Sequence, residues 1–444
     1  MSKLQFSADW QSTGADSAEI RETSAFLSVR VGDTVVTRNE DVWSKTIRDS
    51  VLVSTYPLAM WLAASWWRLK WEPLPKQGLR PAVDWRMAHE MGAANHGYVW
   101  PHIVFASDNE MMQVWTTAPE PSHEQSVRYL TECSEPMPLS VFEAGVDAFV
   151  DSVIRRLAAV GCGGSDLAQL WELVQIDRKN PEASRYRKIE AALGYDPDEG
   201  PSELMSQALE FDREMGGAAM AELAPLYGKF GIEHSLTALS KLRDQPGLIG
   251  TPKLPKLSAA KSSKAVGPPW VRAVAAARHL RKQAGIPKGN VRNEILFDLL
   301  GLSVADGSSE IGVKAGSGLG IPQQAGRMKF IPRKHHPLAR RFELSRFIAD
   351  LVQADGAMQW LASTDLSTSR QKFQRAFAAE FLCPIDSLAE FLDEDYSESA
   401  IEDAADHFNV SERTVESLLV NNGLIQRPWM SDYIEVRPPY PMGI

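Results

Sequence analysis

Hydrophobic positions in the first third of the chain follow the two-residue alternation of β-strands. Residues 25–37 are rich in β-branched side chains on both sides of a Gly-Asp pair, which predicts a β-hairpin. Residues 98–117 predict a second hairpin that turns at a Ser-Asp-Asn sequence. Residues 50–69 are apolar and rich in tryptophan, so we expect a buried helix that packs on the first hairpin. Residues 1 to about 22 are polar, and we expect them to be loosely held.

From residue 140 onwards the hydrophobic spacing becomes helical. Glycine- and proline-bearing breaks separate predicted helices at residues 141–160, 166–176, 184–193 and 203–226. Residues 244–269 are rich in proline, glycine and serine without apolar periodicity, which favours an exposed linker. Beyond it we expect a basic helix at 270–284 and an apolar helix at 291–300. The glycine-rich residues 316–320 lack the Lys-Ser/Thr of a phosphate-binding loop, so we expect a flexible loop there.

Two further helices are predicted in the C-terminal third. In residues 337–352 the apolar side chains cover more than one face, which indicates a largely enclosed helix. In residues 368–384, Thr368 and Gln371 have the spacing of a capping box, and three phenylalanines recur at four-residue steps. Residues 400–423 predict a short helix-turn-helix-like pair.

These patterns predict an α+β fold that is mostly helical. It has an N-terminal α/β region with hairpins, a helical middle and a helical C-terminal domain. The predicted divisions are an N-terminal α+β domain (1–125), a helical domain (126–243), a linker (244–269), a C-terminal domain (270–427) and a tail (428–444).

The two C-terminal helices and the short helical pair resemble the ImmA/IrrE family of bacterial metallopeptidase-like proteins. In that family an Arg-Phe-x-x-x-His-Glu-x-x-His helix precedes a Glu-x-x-Ala-Asn-x-Phe-Ala-x-x-Leu-Leu-x-Pro helix. The resemblance covers about residues 269–424 and implies a zincin-like domain that ends in the helix-turn-helix-like pair. It also implies a regulatory role, because family members are associated with stress response, mobile elements, and repressor or toxin-antitoxin control.

The positions that carry zinc chemistry in the family hold unsuitable residues in this chain. Arg341 and Phe342 match the family's Arg-Phe, so its two zinc histidines fall on Arg346 and Asp350, and its general-base glutamate falls on Phe347. The third zinc ligand falls on Gln371, or on Phe373 if the register is shifted by two residues. Arginine offers no lone pair, phenylalanine takes no proton from water, and one carboxylate rarely holds zinc. The resemblance therefore implies a degenerate peptidase with no catalytic residue, metal or cofactor.

We therefore predict a non-catalytic pseudo-peptidase that binds a protein partner through its former active-site groove. The charges of Glu343, Arg346 and Asp350 are spaced to pair along one helix. A solvated, salt-bridged helix edge is the simpler alternative. The candidate groove residues are Arg341, Glu343, Arg346, Phe347, Asp350, Gln371 and Arg375.

The charge distribution supports a second hypothesis. The chain carries a formal charge of −10, but residues 252–346 contain 18 lysines and arginines against 5 acids. That segment therefore carries +13 and the rest of the chain −23. Either an acidic region docks on the basic one, or the chain is a nucleic-acid-binding transcriptional regulator. The candidate nucleic-acid contacts are Arg333, Lys334, Ser411, Arg413 and Thr414.

A third hypothesis is an active metallo-endopeptidase with an unusual metal set. His89, Glu90, His96 and His102 lie close in the sequence, although their spacing is not that of a His-Glu-x-x-His helix. Capping or surface histidines are the simpler interpretation.

Cysteine content and the N-terminus indicate the compartment. The three cysteines are too few and too dispersed for a disulfide framework, and no signal peptide opens the chain. We expect a cytoplasmic protein without a membrane anchor, since the charge-free residues 50–67 only just reach the length of a spanning helix. The sequence leaves the oligomeric state and the partner open.

Overall fold

The computed structural model divides the chain into two compact units, which meet in sequence between Met205 and Ser206. The tail at 428–444 and residues 255–266 of the predicted linker lie outside the described residues. The prediction of an exposed linker is wrong at residues 248–250, which form a sheet strand that buries Leu248. The described residues are 3–14, 17–75, 81–119, 125–229, 231, 235–254, 267–286, 288–305, 314–354 and 359–425.

The first unit combines small antiparallel sheets with helices. Its strands are β1 (Leu4–Trp10), β2 (Ser24–Val31), β3 (Thr34–Val35), β4 (Asn39–Asp41), β5 (Thr46–Arg48), β6 (Val51–Ser54), β7 (His102–Ser107), β8 (Met111–Thr117), β9 (Val127–Tyr129) and β10 (Cys133–Pro138). Its helices are α1 (Ala18–Glu22), α2 (Tyr56–Ala64), α3 (Trp66–Trp71), α4 (Val83–His89), α5 (Leu139–Ala159), α6 (Asp166–Lys179) and α7 (Pro181–Ala192), with a 3-10 turn at Met91–Ala94.

Both predicted hairpins are confirmed. β2 and β3 pair around Gly32 and Asp33, and β7 pairs with β8. The prediction of a loose N-terminus is wrong, because β1 pairs with β2 along its whole length and Leu4 is buried in the core. Alternating apolar residues in Leu4–Trp10 were the overlooked strand signal.

The tryptophan-rich stretch forms one strand and two short helices. Residues 51–54 pair with β2 as β6, and Ser65 separates α2 from α3. The apolar side chains of α2 and α3 form a single hydrophobic core with those of β2, β7, β8, α5 and α6. The domain boundary predicted after residue 125 therefore lies between elements that share this core. No helix in the described residues has the length and apolarity to cross a membrane.

The second unit packs helices around one four-stranded antiparallel sheet. Its sequence of elements begins within α8 (Ser202–Met215) and continues with α9 (Gly217–Tyr227), α10 (Leu236–Arg243), β11 (Leu248–Gly250), α11 (Pro269–Gln283), α12 (Asn293–Leu300), β12 (Gly318–Pro322), β13 (Met328–Ile331), α13 (Pro337–Gln353), β14 (Leu361–Ser363), α14 (Ser369–Leu382), α15 (Ile385–Leu392), α16 (Glu398–Phe408) and α17 (Glu412–Asn421). The strand order is β11-β13-β12-β14, so β11 and β14 form the two edges.

Two glycine positions explain features that the sequence pattern missed. The predicted flexible loop at 316–320 is wrong over β12, where a β-carbon on Gly320 would contact the Leu361 side chain at 2.6 Å. At the other edge, the turn after α12 lies against β11, and a β-carbon on Gly301 would collide with the Thr251 backbone. Close packing of the Leu361 side chain on Gly320, and of the Thr251 backbone on Gly301, therefore requires glycine at both places.

The expected helices of this unit form with small shifts. The predicted helix at 203–226 is divided at Gly216, whose φ of 85° ends α8. The basic helix at 270–284 corresponds to α11, and the enclosed helix at 337–352 to α13. Thr368 caps α14 by accepting a hydrogen bond from the Gln371 backbone N–H. The coarse prediction of a mostly helical α/β protein is therefore confirmed.

Candidate functional site

The candidate groove residues are almost entirely buried. Arg341, Glu343, Arg346, Phe347 and Asp350 on α13 are at most 4% exposed. Gln371 on α14 is fully buried, and Arg375 is partly exposed. The enclosed helix is as predicted, but these side chains form the interior of the second unit, where a groove was expected.

Asp350 pairs with an arginine from α14. Arg370 donates from Nε to Asp350 Oδ1 at 2.7 Å and from Nη2 to Oδ2 at 2.6 Å. The Arg370 guanidinium also donates to the Trp360 and Ala218 carbonyl oxygens. This two-pronged ion pair fixes α14 against α13 in a region with little water.

Glu343 pairs with Arg333, which precedes α13. Arg333 Nε donates to Glu343 Oε1 at 3.1 Å, while Ser363 Oγ donates to the same oxygen at 3.0 Å. The Arg333 guanidinium also donates to both carboxylate oxygens of Asp365, at 2.7 and 2.9 Å. Burial by itself would raise the pKa of Asp365, but the hydrogen bonds and charge of Arg333 outweigh it and hold that pKa well below its usual range.

Arg346 has no carboxylate partner among the described residues. Its Nη2 donates to the Thr364 carbonyl oxygen at 2.7 Å and to Gln371 Oε1. Burial, together with the nearby Arg375 and Arg333 guanidinium groups, lowers the pKa of Arg346. The predicted pairing of Glu343, Arg346 and Asp350 along α13 is therefore wrong, because each side chain bonds to partners outside α13.

Arg375 and Glu222 extend this cluster. Arg375 Nη1 donates to the Leu366 carbonyl oxygen at 2.9 Å, and burial lowers its pKa. Glu222 on α9 accepts a hydrogen bond from Thr368 Oγ1 at 2.7 Å, and burial raises its pKa. Four arginines and four acids thus meet in one network, in which Asp365 is exposed, Arg370 and Arg375 are partly exposed and the other members are buried. The members are Arg333, Arg346, Arg370, Arg375, Glu222, Glu343, Asp350 and Asp365.

This network satisfies the outer edge of β14. Asp350 accepts from the Ala362 N–H at 3.3 Å, and the side-chain amides of Gln371 and Gln374 both donate to the Ala362 carbonyl oxygen at 2.9 Å. Gln371 Oε1 also accepts from the Thr364 N–H at 2.9 Å. The backbone N–H and C=O groups on the outer side of an edge strand normally bond to water or to another strand. In β14 they bond to the polar side chains of α13 and α14.

Arg341 serves a separate part of the unit. Its Nη1 donates to Asn293 Oδ1 at 2.5 Å, and its Nη2 donates to the Val291 carbonyl oxygen. Burial lowers the pKa of Arg341. The side chain therefore ties α13 to the start of α12 and is not presented to a partner.

The donor set around α13 does not fit zinc. Arg346 and Phe347 supply no ligand, and both oxygens of Asp350 are engaged by Arg370. Within the described residues, no three His, Cys, Asp or Glu side chains gather closely enough to hold a metal ion.

The alternative metal set in the first unit is wrong. His89 is fully buried, with Nδ1 2.8 Å from the Phe105 carbonyl oxygen and Nε2 3.1 Å from Glu72 Oε2. Both ring nitrogens are thus used, and Glu90 accepts two hydrogen bonds from Arg86. His96 and His102, the other two members of the set, complete no metal-binding group with them.

The candidate nucleic-acid contacts offer little accessible positive charge. Arg333 is 7% exposed and is bonded to two carboxylates, while Lys334 is partly exposed. Ser411 and Thr414 bond to each other at the start of α17. Arg413 is exposed there. Nucleic-acid binding stays a prediction.

The basic segment is partly neutralised within the second unit. Arg278 pairs with Glu380 at 2.6 Å and with Asp386 at 3.2 Å, and Lys288 pairs with Glu390 at 3.0 Å. These contacts are what the docking of acidic on basic residues predicts.

Several residues of the network were missed at the sequence level. Arg370 precedes Gln371, so the predicted start of α14 placed Arg370 on that helix. Nothing in the sequence indicated that Asp350 would be its partner. Ser363, Thr364 and Glu222 lie far from α13 in sequence, and they carry no motif that marks them.

Comparisons of the chain with protein-family models, with curated proteins and with solved structures found no match. The functional interpretation therefore depends on the arrangement of the side chains themselves.

Proposed function

We propose that this chain is a non-catalytic ImmA/IrrE-like pseudo-peptidase that works as a regulatory, stress- or defence-associated binding protein. One observation carries the proposal: Arg346, Asp350 and Gln371, at the family's zinc positions, make internal hydrogen bonds to β14 and the residue after it, and Phe347, at the general-base position, is buried in the hydrophobic core. A side chain that supports an edge strand from the interior is not free to bind zinc or activate water.

The surface over this network is the proposed contact site. Asp365 is exposed, and Lys334, Ser367 and Arg375 are partly exposed, whereas the residues beneath them are buried. A partner would therefore contact these exposed and partly exposed residues, because the other residues of the network are buried. This surface replaces the open groove expected from the sequence.

Metal content tests the non-catalytic half of the proposal. We expect purified protein to carry substoichiometric zinc, and EDTA to leave both its melting temperature and its lack of peptidase activity unchanged. Zinc at one ion per chain that is lost in Asp350→Asn would overturn the proposal.

Site-specific cross-linking tests the binding half. A photo-reactive amino acid at Ser367 should give a discrete cross-linked partner in the native host, and the same group at the exposed Arg413 of α17 serves as the matched control. Absence of a Ser367-specific product under conditions in which the protein is expressed and folded would contradict binding through this surface.

A further inference from the structure

The second unit contains an open pocket of about 680 Å³ away from the buried network. It lies where α8 ends, α10 ends and β12 meets β13, and Trp360 closes one side. Its size falls in the range of sites that take small organic molecules or a few peptide residues. None of the motifs in the sequence points to it.

Most charges in this pocket are already neutralised. Arg243 donates to Glu214 and to Asp244, both at 3.0 Å. Lys329 Nζ donates to the carbonyl oxygens of Arg243 at 2.7 Å and Gln245 at 3.3 Å, at the end of α10. These cations are therefore held in place by the protein's own acceptors.

Arg213 is different. It lines the pocket and is exposed, and its guanidinium has no hydrogen-bond or ion-pair partner among the described residues. With three cations and two acids, the pocket wall has one surplus positive charge. Both acids pair with Arg243 and Lys329 Nζ is held by backbone carbonyl oxygens, so Arg213 is the cation that is free to bind a ligand. A guanidinium with free donors binds a carboxylate with two parallel hydrogen bonds.

The remaining wall is partly apolar and also contains Gln323 and Gln359. Met215, Ile321 and Trp360 line the pocket and are each at most 6% exposed. An indole and a thioether are well suited to contact a flat or aliphatic group. The wall has a surplus of one positive charge, which matches a monoanion, so a carboxylate fits better than a phosphate dianion.

We infer that this pocket binds a monoanionic carboxylate attached to an apolar or aromatic group, with Arg213 as the charge contact and Trp360 in the apolar wall. The chemistry suits both a small aromatic acid and the C-terminal carboxylate of a peptide that ends in an apolar residue. This inference does not depend on the proposed function.

Four probes distinguish these sources. Phenylacetate and a tetrapeptide ending in phenylalanine carry the carboxylate, whereas phenylacetamide and the amidated tetrapeptide lack it. Titration of the full chain by calorimetry or ligand-observed NMR should show binding of at least one carboxylate and weaker binding of its amide. The tighter carboxylate identifies the source.

Arg213→Gln should weaken that binding by about five- to tenfold, since it removes an exposed charge-assisted contact. Arg413→Gln removes an exposed arginine outside the pocket and should leave the affinity unchanged. The inference is overturned if neither carboxylate binds, if the amides bind equally well, or if Arg213→Gln has no effect beyond that of Arg413→Gln. Because Arg213 is exposed and has no partner among the described residues, we expect its replacement to leave folding intact.

Discussion

The buried pair of Asp350 and Arg370 gives the most direct test of how the α13–α14 network contributes to stability. Asp350→Asn keeps an acceptor for the Ala362 N–H but removes the negative charge that two Arg370 donors contact at 2.6 and 2.7 Å. Removing one partner of a buried ion pair costs about 3–5 kcal/mol. At an effective dielectric constant near 20, the lost attraction is about 4 kcal/mol for charges 4 Å apart, which agrees.

Urea unfolding measures this loss. For an unfolding slope of about 2–3 kcal/mol per molar urea, we expect the midpoint of the second unit to fall by about 1–2 M. Hydrogen exchange resolved by mass spectrometry should locate the loss in α13, β14 and α14, which separates it from changes in the first unit.

A double-mutant cycle and a surface pair provide the controls. Asp350→Asn with Arg370→Gln should cost less than the sum of the single variants by at least about 2 kcal/mol. Lys288→Ala breaks an exposed pair with Glu390 and should cost less than about 1 kcal/mol. Additive single variants, or an Asp350→Asn midpoint equal to that of Lys288→Ala, would refute the reasoning.

Three further outcomes follow from the same network. Arg333 depresses the pKa of Asp365, so the Asp365 carboxylate stabilises the fold above its unfolded pKa of about 4. This contribution is lost as the pH falls through the lower folded pKa. The difference in melting temperature between the native chain and Asp365→Asn should therefore shrink on acidification from pH 5 to about 2. Burial raises the pKa of Glu222, so ionisation of Glu222 lowers the stability of the fold as the pH rises above about 4.5. Glu222→Gln keeps an acceptor for Thr368 and should make the melting temperature depend less on pH in this range. An unchanged slope of melting temperature against pH would contradict this prediction. Phe347→Ala should cost about 3–5 kcal/mol in urea unfolding, since the side chain is fully buried; a loss below about 1 kcal/mol would show that the site repacks.

Local patterns predicted the helices of the second unit well. Thr368 and Gln371 marked the start of α14, and the enclosed character of α13 followed from apolar side chains on more than one face. Such signals depend on residues a few positions apart, so they are visible without the fold.

The sheet and the charge partners required information that no local pattern contains. β12 includes Gly318 and Gly320, which sequence rules assign to a loop, and its strand conformation depends on contacts with β13 and β14. Likewise, the spacing of Arg346 and Asp350 suggested a pair along one helix, although Asp350 bonds to Arg370, twenty positions away. Tertiary packing determines whether a charged side chain bonds to a neighbour on its own helix or to a residue distant in sequence.

The occupied β14 edge of the four-stranded sheet restricts the ways in which the second unit can recognise another polypeptide. Side chains of α13 and α14 take the hydrogen-bonding positions beside β14. Main-chain pairing of the kind used by PDZ-type domains therefore has no free groups to pair with at this edge. A peptide bound at this edge must be held through its side chains or its terminus, and its specificity will be set by chemical groups more than by extended backbone shape.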